Sequence, residues 1–257
     1  MLSTERFQDR VDDYVRYRPS YPVEVRTSVI ERCGLQPSSV IADFGSGTGL
    51  LAQLFLESGF EVYGVEPNAA MRAAAERLLV RFPRFRSIEG TAEASGLPGR
   101  SCDLVTCGQS FHWFDPVRSR EECQRILCPG GWVVLVWNVR RTGDTPFLDG
   151  YEALLRRHTP EYEEIERRRS DPAAFDAFFG AGKWDALTLA HSQSFDYEGA
   201  LGRLRSSSYS PVPGAPGYPE IEQELRTLFT ATAVDGKVAF LYDTKVYFGR
   251  PGGRVGI

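Results

Sequence analysis

Asp43 closes the apolar run Val40–Phe44 and stands just ahead of three glycines spaced two apart, Gly45, Gly47 and Gly49. An acid beside bare backbone suits a chain that must come very close to a nucleotide-like ligand and answer a charge on it. Glycine has no Cβ, so it accepts positive φ and lets a ligand touch the main chain. The helix-like stretch from Leu50 to Glu57 then aims its free N–H groups into the turn. A second acid, Glu66, ends the strand-like run Glu61–Val65 and is followed by Pro67 and Asn68. In open α/β sheets an acidic residue about 20 positions after the glycine turn accepts hydrogen bonds from ribose hydroxyls. Together the two acids point to an adenosine-type ligand. The glycines do not choose among such ligands. The dinucleotide spacing Gly-x-Gly-x-x-Gly fails from Gly45, where Leu50 occupies the third place, but a variant of it is met by Gly47, Gly49 and Ala52.

The elements that must position these residues alternate. Strand patterns at Val40–Phe44, Glu61–Val65, Phe85–Glu89, Cys102–Cys107 and Trp132–Trp137 are separated by helical patterns at Thr48–Glu57, Asn68–Arg81 and Pro116–Leu127. Asn68 is a cap for the second helix, and Pro129-Gly130-Gly131 closes the third. Such alternation specifies a parallel, doubly wound α/β sheet. Beyond Asn138 the pattern changes. Residues 140–182 read as a charged helical insertion broken at Pro160 and Pro172, expected to build a lid. A strand-like run Trp184–Phe195, a short helix Tyr197–Arg205, a Ser/Pro/Gly-rich loop Ser206–Pro219, a helix Tyr218–Thr230 and a final strand pair or one long strand over Val238–Phe248 complete the chain.

Bulk properties restrict the function. The 257 residues are 42% hydrophobic and 25% charged, with a net charge of −4, which is ordinary for a globular protein and unlike the basic excess of a nucleic-acid binder. The basic run Arg167-Arg168-Arg169 follows four glutamates and reads as a solvated helix face. No apolar run approaches a membrane span, and the polar Met1–Arg10 lacks a signal-peptide core, so the expected location is cytoplasmic. The five cysteines include no Cys-x-x-Cys pair, which suggests neither a metal site nor a disulfide framework.

The ordered series Asp43-x-Gly45-x-Gly47-x-Gly49, Gly64-Val65-Glu66-Pro67-Asn68, Gly90-Thr91-Ala92-Glu93 and Pro129-Gly130-Gly131 resembles the class I S-adenosylmethionine-dependent methyltransferases. Three further blocks are similar to their type 11 small-molecule branch, which includes trans-aconitate methyltransferase-like proteins. These are Gln109-Ser110-Phe111-His112-Trp113-Phe114, Tyr14 to Pro22, and Tyr242 to Tyr247. The resemblance runs from about residue 7 to 249. It implies a Rossmann-like, three-layer α/β/α domain over residues 1–257, with a seven-stranded sheet whose last strand is antiparallel, covering helices within 1–36 and the insertion after strand five. It also implies S-adenosyl-L-methionine as cofactor. Gly45 and Gly47, with Ser46 between them, would lie under its methionine part, and Asp43 would hold its amino group. Glu66, beside Pro67, would accept the ribose hydroxyls. Met71 would pack on the adenine, with Ala92 and Glu93 at its edge. Gln109 and Ser110 would line the mouth where the methyl group points, and Tyr14 and Arg18 would fold over the cofactor.

The activity so implied is in-line methyl transfer to an oxygen, nitrogen or carbon nucleophile of a small-molecule acceptor, a carboxylate being among the candidates. The alternatives are an NAD(P)-dependent oxidoreductase and a non-catalytic cofactor-binding member of the fold. His112 is the histidine expected at the cleft, either orienting the acceptor or taking its proton, or else bracing its loop. Trp113, Ser208 and Tyr209 are candidate acceptor contacts, and Arg203 and Arg205 are candidate partners for an acceptor carboxylate. Monomer and dimer remain equally open.

Overall fold

A computed structural model describes residues 11–169 and 171–252. Seven strands form one sheet: β1 (Val40–Phe44), β2 (Glu61–Val65), β3 (Phe85–Ile88), β4 (Cys102–Gly108), β5 (Leu127–Arg140), β6 (Trp184–Phe195) and β7 (Val238–Gly249), in the order β3-β2-β1-β4-β5-β7-β6. The first five pair in parallel, and β7 runs antiparallel between β5 and β6. The fold is the expected Rossmann-like one, with the last strand reversed.

The strands read as apolar runs because helices cover both faces. Successive residues alternate between two cores. Ala42, Phe44, Val105, Leu135 and Trp137 pack beneath α5 (Pro116–Ile126) and α8 (Pro172–Phe179). Ile41, Leu104, Val134 and Val136 pack beneath α2 (Val23–Cys33) and α3 (Leu50–Leu56). Past the end of that second core, Phe240 and Tyr242 of β7 meet α6 (Pro146–His158), α9 (Tyr197–Arg205) and α10 (Tyr218–Thr232).

Helix starts follow the capping chemistry. Asn68 Oδ1 accepts from the Met71 N–H at the head of α4 (Ala69–Leu78), and Asp115 accepts from Val117 and Arg118 ahead of Pro116. Two expectations need correction. Pro129-Gly130-Gly131 does not separate a helix from a strand. β5 starts at Leu127, directly after α5; Cys102 pairs with Leu127 and Leu104 with Trp132, so the intervening residues bulge out of the strand. The 140–182 stretch is also less uniform than a lid. Its helices α6 and α7 (Tyr162–Arg169) lie over the carboxyl side of the sheet, with α7 against the 3₁₀ turn Phe111–Trp113, whereas α8 is core. Phe175, Phe178 and Phe179 are at most 2% exposed, and the Phe175 ring centroid lies 5.6 Å from that of Trp137 and 4.7 Å from that of Tyr247. The sequence 172–179 is apolar for that reason.

Of the expected N-terminal covering helices, α1 (Val11–Tyr17) and α2 are present, while residues 1–10 lie outside the described part. Among the described residues, no helix is long and apolar enough to cross a membrane, and no three His, Cys, Asp or Glu side chains group as a metal site would require.

Candidate active site

Sheet order reverses between β1 and β4, and ligands of open α/β sheets bind outside the carboxyl ends of the strands at such a switch point. A cleft opens there, with ≈ 830 Å³ of empty space that includes the open solvent at its mouth.

The chain leaves β1 through a turn clamped to β2: the Gly45 and Ser46 N–H groups donate to the Val65 carbonyl at 2.8 and 3.2 Å. Gly45 has φ +63°, and a Cβ there would fall 2.6 Å from Ser110 Cβ. Backbone and Ser110 therefore meet only because the side chain is absent. Gly47, at φ +56°, borders open space whose nearest side-chain atom is the Tyr14 hydroxyl at 4.0 Å. Here bare main chain faces the cleft.

Glu66 ends β2 and is 9% exposed. One carboxylate oxygen accepts from the Gly47 N–H at 3.0 Å and the other from the Asn68 N–H at 2.9 Å. Each oxygen keeps a free lone pair, so the group is fixed in place with acceptor capacity to spare. Burial raises its pKa, opposed by those two amides. The Arg72 guanidinium binds the Glu66 and Pro67 carbonyls behind it and holds the strand end. Met71, 3% exposed, Pro67, Ala92 and Glu93 form the next wall of the cleft. Glu93 also accepts from the Asp115 N–H at 2.9 Å, which ties its turn to the start of α5; the turn itself is a Thr91–Ala94 bridge and not the start of a helix.

Asp43 lies deeper. It is 1% exposed and accepts from the Thr106 hydroxyl at 2.8 Å, and burial pushes its carboxyl up to about 7. It lines a smaller recess with Arg18, Ser46 and Thr48, roofed by Tyr14 of α1. The Arg18 guanidinium stacks on the Tyr14 ring at 4.9 Å and donates to the Ser206 carbonyl at 2.9 Å, so the covering segment is anchored to the loop after α9. Gln109 follows β4 with φ +60°, a left-handed conformation uncommon for a residue with a side chain. Its N–H donates to Val136 and its amide to the Asn138 carbonyl, which hold it between the two recesses. Ser110 Oγ donates to the Phe44 carbonyl at 2.7 Å and thereby staples β4 to β1.

The predicted cofactor residues thus converge on one cavity system. Five other candidates do not line it. His112 turns away within the 3₁₀ segment, its ring centroid 4.6 Å from that of Trp113, while Trp113 itself faces the cleft. Ser208 is 8% exposed and Tyr209 packs on Tyr162 of α7 at 5.1 Å, because the loop after α9 is drawn toward the insertion. Arg205 donates to the Tyr218 hydroxyl at 2.6 Å. Arg203 is buried and not the surface side chain its charge suggests. Thr48 and Phe114 are among the contributors that were missed. The Thr48 hydroxyl lines the inner recess and has no hydrogen-bond partner among the described residues; its place inside the glycine turn was its signal. Phe114 lines the outer wall, and nothing in its sequence context separates a cleft wall from packing.

An acid fixed for a diol, a second acid for a cation, an orphaned hydroxyl and bare glycine backbone fit S-adenosyl-L-methionine or its demethylated form. A model of a methyltransferase domain family matches residues 42–135, from inside β1 to inside β5. An uncharacterized methyltransferase of Mycobacterium tuberculosis is 37% identical over 134 residues, 52% of each chain. An uncharacterized methyltransferase-like protein of Schizosaccharomyces pombe is 31% identical over 192 residues, 74% of this chain and 68% of that one. The chain spans about half the length of the mycobacterial relatives it matches. A solved structure from Anaeromyxobacter dehalogenans, provisionally assigned as a type II methyltransferase, superposes with a TM-score of 0.65 at 25% identity over 91% of this chain and 98% of that one. The [4+2]-cyclase SpnF shares the fold at a TM-score of 0.55 and 16% identity over 98% of each chain, so fold alone does not name a reaction. The fission-yeast match, however, extends well beyond the strands that carry the site and across two thirds of its partner: the chain belongs to the class I S-adenosylmethionine-dependent methyltransferases.

Proposed function

We propose that the protein transfers a methyl group from S-adenosyl-L-methionine to a small-molecule acceptor. The observation that carries this reading is the Glu66 carboxylate, held by two backbone amides at the switch point and lining the cleft there. When bound, the cofactor supplies a methyl carbon on a sulfonium whose leaving group is a neutral thioether.

The protein's residues then have positional work. Glu66 accepts the ribose hydroxyls. Asp43 takes the ammonium of the amino-acid end, and Arg18 and Thr48 face its carboxylate from the inner recess. Met71, Ala92 and Glu93 enclose the adenine. Gln109, Ser110, Trp113 and Phe114 border the mouth where the acceptor enters and exclude water there. No acid is needed for the leaving group, so the chemistry rests on alignment of three atoms in a dry site. An acceptor that reacts as a carboxylate needs no base. Helices α6 and α7 close the acceptor side.

Two measurements test this. S-adenosylhomocysteine must raise the melting temperature where NAD does not, since a ligand that binds only the native state stabilises it. Incubation of the protein with a metabolite extract and isotopically labelled methyl donor must give a labelled small molecule. Stabilisation by NAD alone, or no label beyond a heat-killed control, overturns the reading.

A further inference from the structure

Arg203 is 5% exposed, yet no carboxylate pairs with it among the described residues. Nε donates to the Tyr242 hydroxyl at 3.1 Å, and Nη1 reaches the hydroxyls of Ser207 at 3.0 Å and Ser206 at 3.5 Å. Nη2 makes no hydrogen bond among the described residues. Across the β5–β7 ladder from Tyr242 stands a second buried cation, Arg140. It spends Nη2 on Glu152 at 2.6 Å and Tyr162 at 2.8 Å, and its buried Nε has no hydrogen-bond partner among the described residues. Tyr151 and Tyr209 lie within electrostatic reach of both guanidiniums. Of the two cations only Arg140 has a carboxylate, the partly exposed Glu152, and that one is further shared with Arg156 at 3.0 Å. A buried charge without a counter-ion is strongly unfavourable and is retained where a partner arrives from outside.

Arg140 shares a face of β5 with Asn138, about 7 Å further along the strand. The Asn138 carbonyl is the one that holds Gln109 at the mouth of the cofactor cleft. From the other side, Arg18 of the cofactor recess donates to the carbonyl of Ser206, whose hydroxyl meets Arg203. We propose that Arg203, with Arg140 beside it, is the subsite for an anionic group of the methyl acceptor. One positive charge in excess matches a single carboxylate better than a phosphate dianion, which Glu152 would repel. The assignment rests on the methyl-transfer reading and adds the charge of the acceptor to it.

The test uses the full chain saturated with S-adenosylhomocysteine. It is challenged by thermal shift with aliphatic and aromatic mono-, di- and tricarboxylic acids, their primary amides, and phosphate monoesters. At least one carboxylate is expected to raise the melting temperature by about 3 °C or more at millimolar concentration, and its amide by less than about 1 °C. In Arg203→Met that shift vanishes, while the shift from S-adenosylhomocysteine stays. Arg203→Met without ligand melts at or above wild type. Its neighbours keep other bonds, since Ser206 and Ser207 donate to the Arg203 carbonyl and Tyr242 to Gln193. The inference falls if no carboxylate stabilises the loaded protein, if phosphate esters alone do so, or if Arg203→Met loses stability as a purely structural arginine would. Failure of S-adenosylhomocysteine itself to bind would instead remove the cofactor reading.

Discussion

Replacing Asp43 with Asn probes the deepest group of the site. Burial pushes that carboxyl from 3.8 to about 7, chiefly by desolvation, with Glu66 adding repulsion and Thr106 and the Ala52 amide opposing. Arg18 faces the same recess. The folded state therefore holds this proton more tightly than the unfolded chain does. The resulting penalty is absent below about 3.8, grows as pH rises, and is complete above about 7. About three pH units at 1.36 kcal/mol each give a penalty of about 4 kcal/mol at pH 8. An ammonium group bound against Asp43 replaces the proton, so affinity must fall as pH drops below 7, by about 100-fold at pH 5 for one linked proton. Isothermal titration calorimetry with S-adenosylhomocysteine at half-unit steps from pH 5 to 8 reads this slope. Asp43→Asn is expected to flatten the slope and to weaken binding at pH 8 by about 10- to 100-fold, the value of a lost charge-assisted hydrogen bond. It is also expected to unfold at higher denaturant concentration than wild type at pH 8. An affinity independent of pH in the wild type, or an unchanged slope in Asp43→Asn, would refute the assignment of Asp43 to the ammonium.

Glu66→Gln turns an amide group toward one of the two backbone N–H donors at 3.0 and 2.9 Å, so S-adenosylhomocysteine affinity measured by calorimetry should drop at least about tenfold. A Cβ on Gly202 would lie 2.1 Å from the Tyr17 ring; Gly202→Ala should unseat α1 from α9, weaken cofactor binding and speed proteolytic cleavage near Tyr17. Phe175→Ala empties the centre of an aromatic cluster and should cost about 3–5 kcal/mol in urea unfolding, with an unchanged strand order by hydrogen exchange. His112→Ala should leave S-adenosylhomocysteine affinity within about threefold, because the ring does not line the cleft.

The half of the site built from β1, β2 and β4 was legible because its constraints are local. Acid, glycine and strand end follow one another in sequence, so Asp43, Gly47 and Glu66 are placed as soon as the strands are. Helix caps such as Asn68 were legible for the same reason. The acceptor side was not. Whether a helical arginine faces water or core depends on what other elements cover it, and α6, α7 and β7 bury Arg203 through contacts far away in sequence. The burial of Ser208 and the packing of Tyr209 were not legible for a like reason: a polar loop reads as exposed until Tyr162 is known to pack on it. His112 was assigned by its position after β4, but a 3₁₀ turn reverses direction within three residues, and sequence does not say which of three neighbours faces the cleft. The bulge at Cys128 to Gly131 was read as a helix stop, because Pro-Gly-Gly ends a helix and kinks a strand by the same backbone freedom.

The most direct measurement is a calorimetric titration of the purified, natively folded chain with S-adenosylmethionine at pH 8, with Glu66→Ala as control. The expected result is saturable heat at one site per chain that the control loses while keeping its circular dichroism spectrum. Absence of binding in the wild type, or equal binding in Glu66→Ala, would contradict the assignment of the switch-point cleft to the methyl donor.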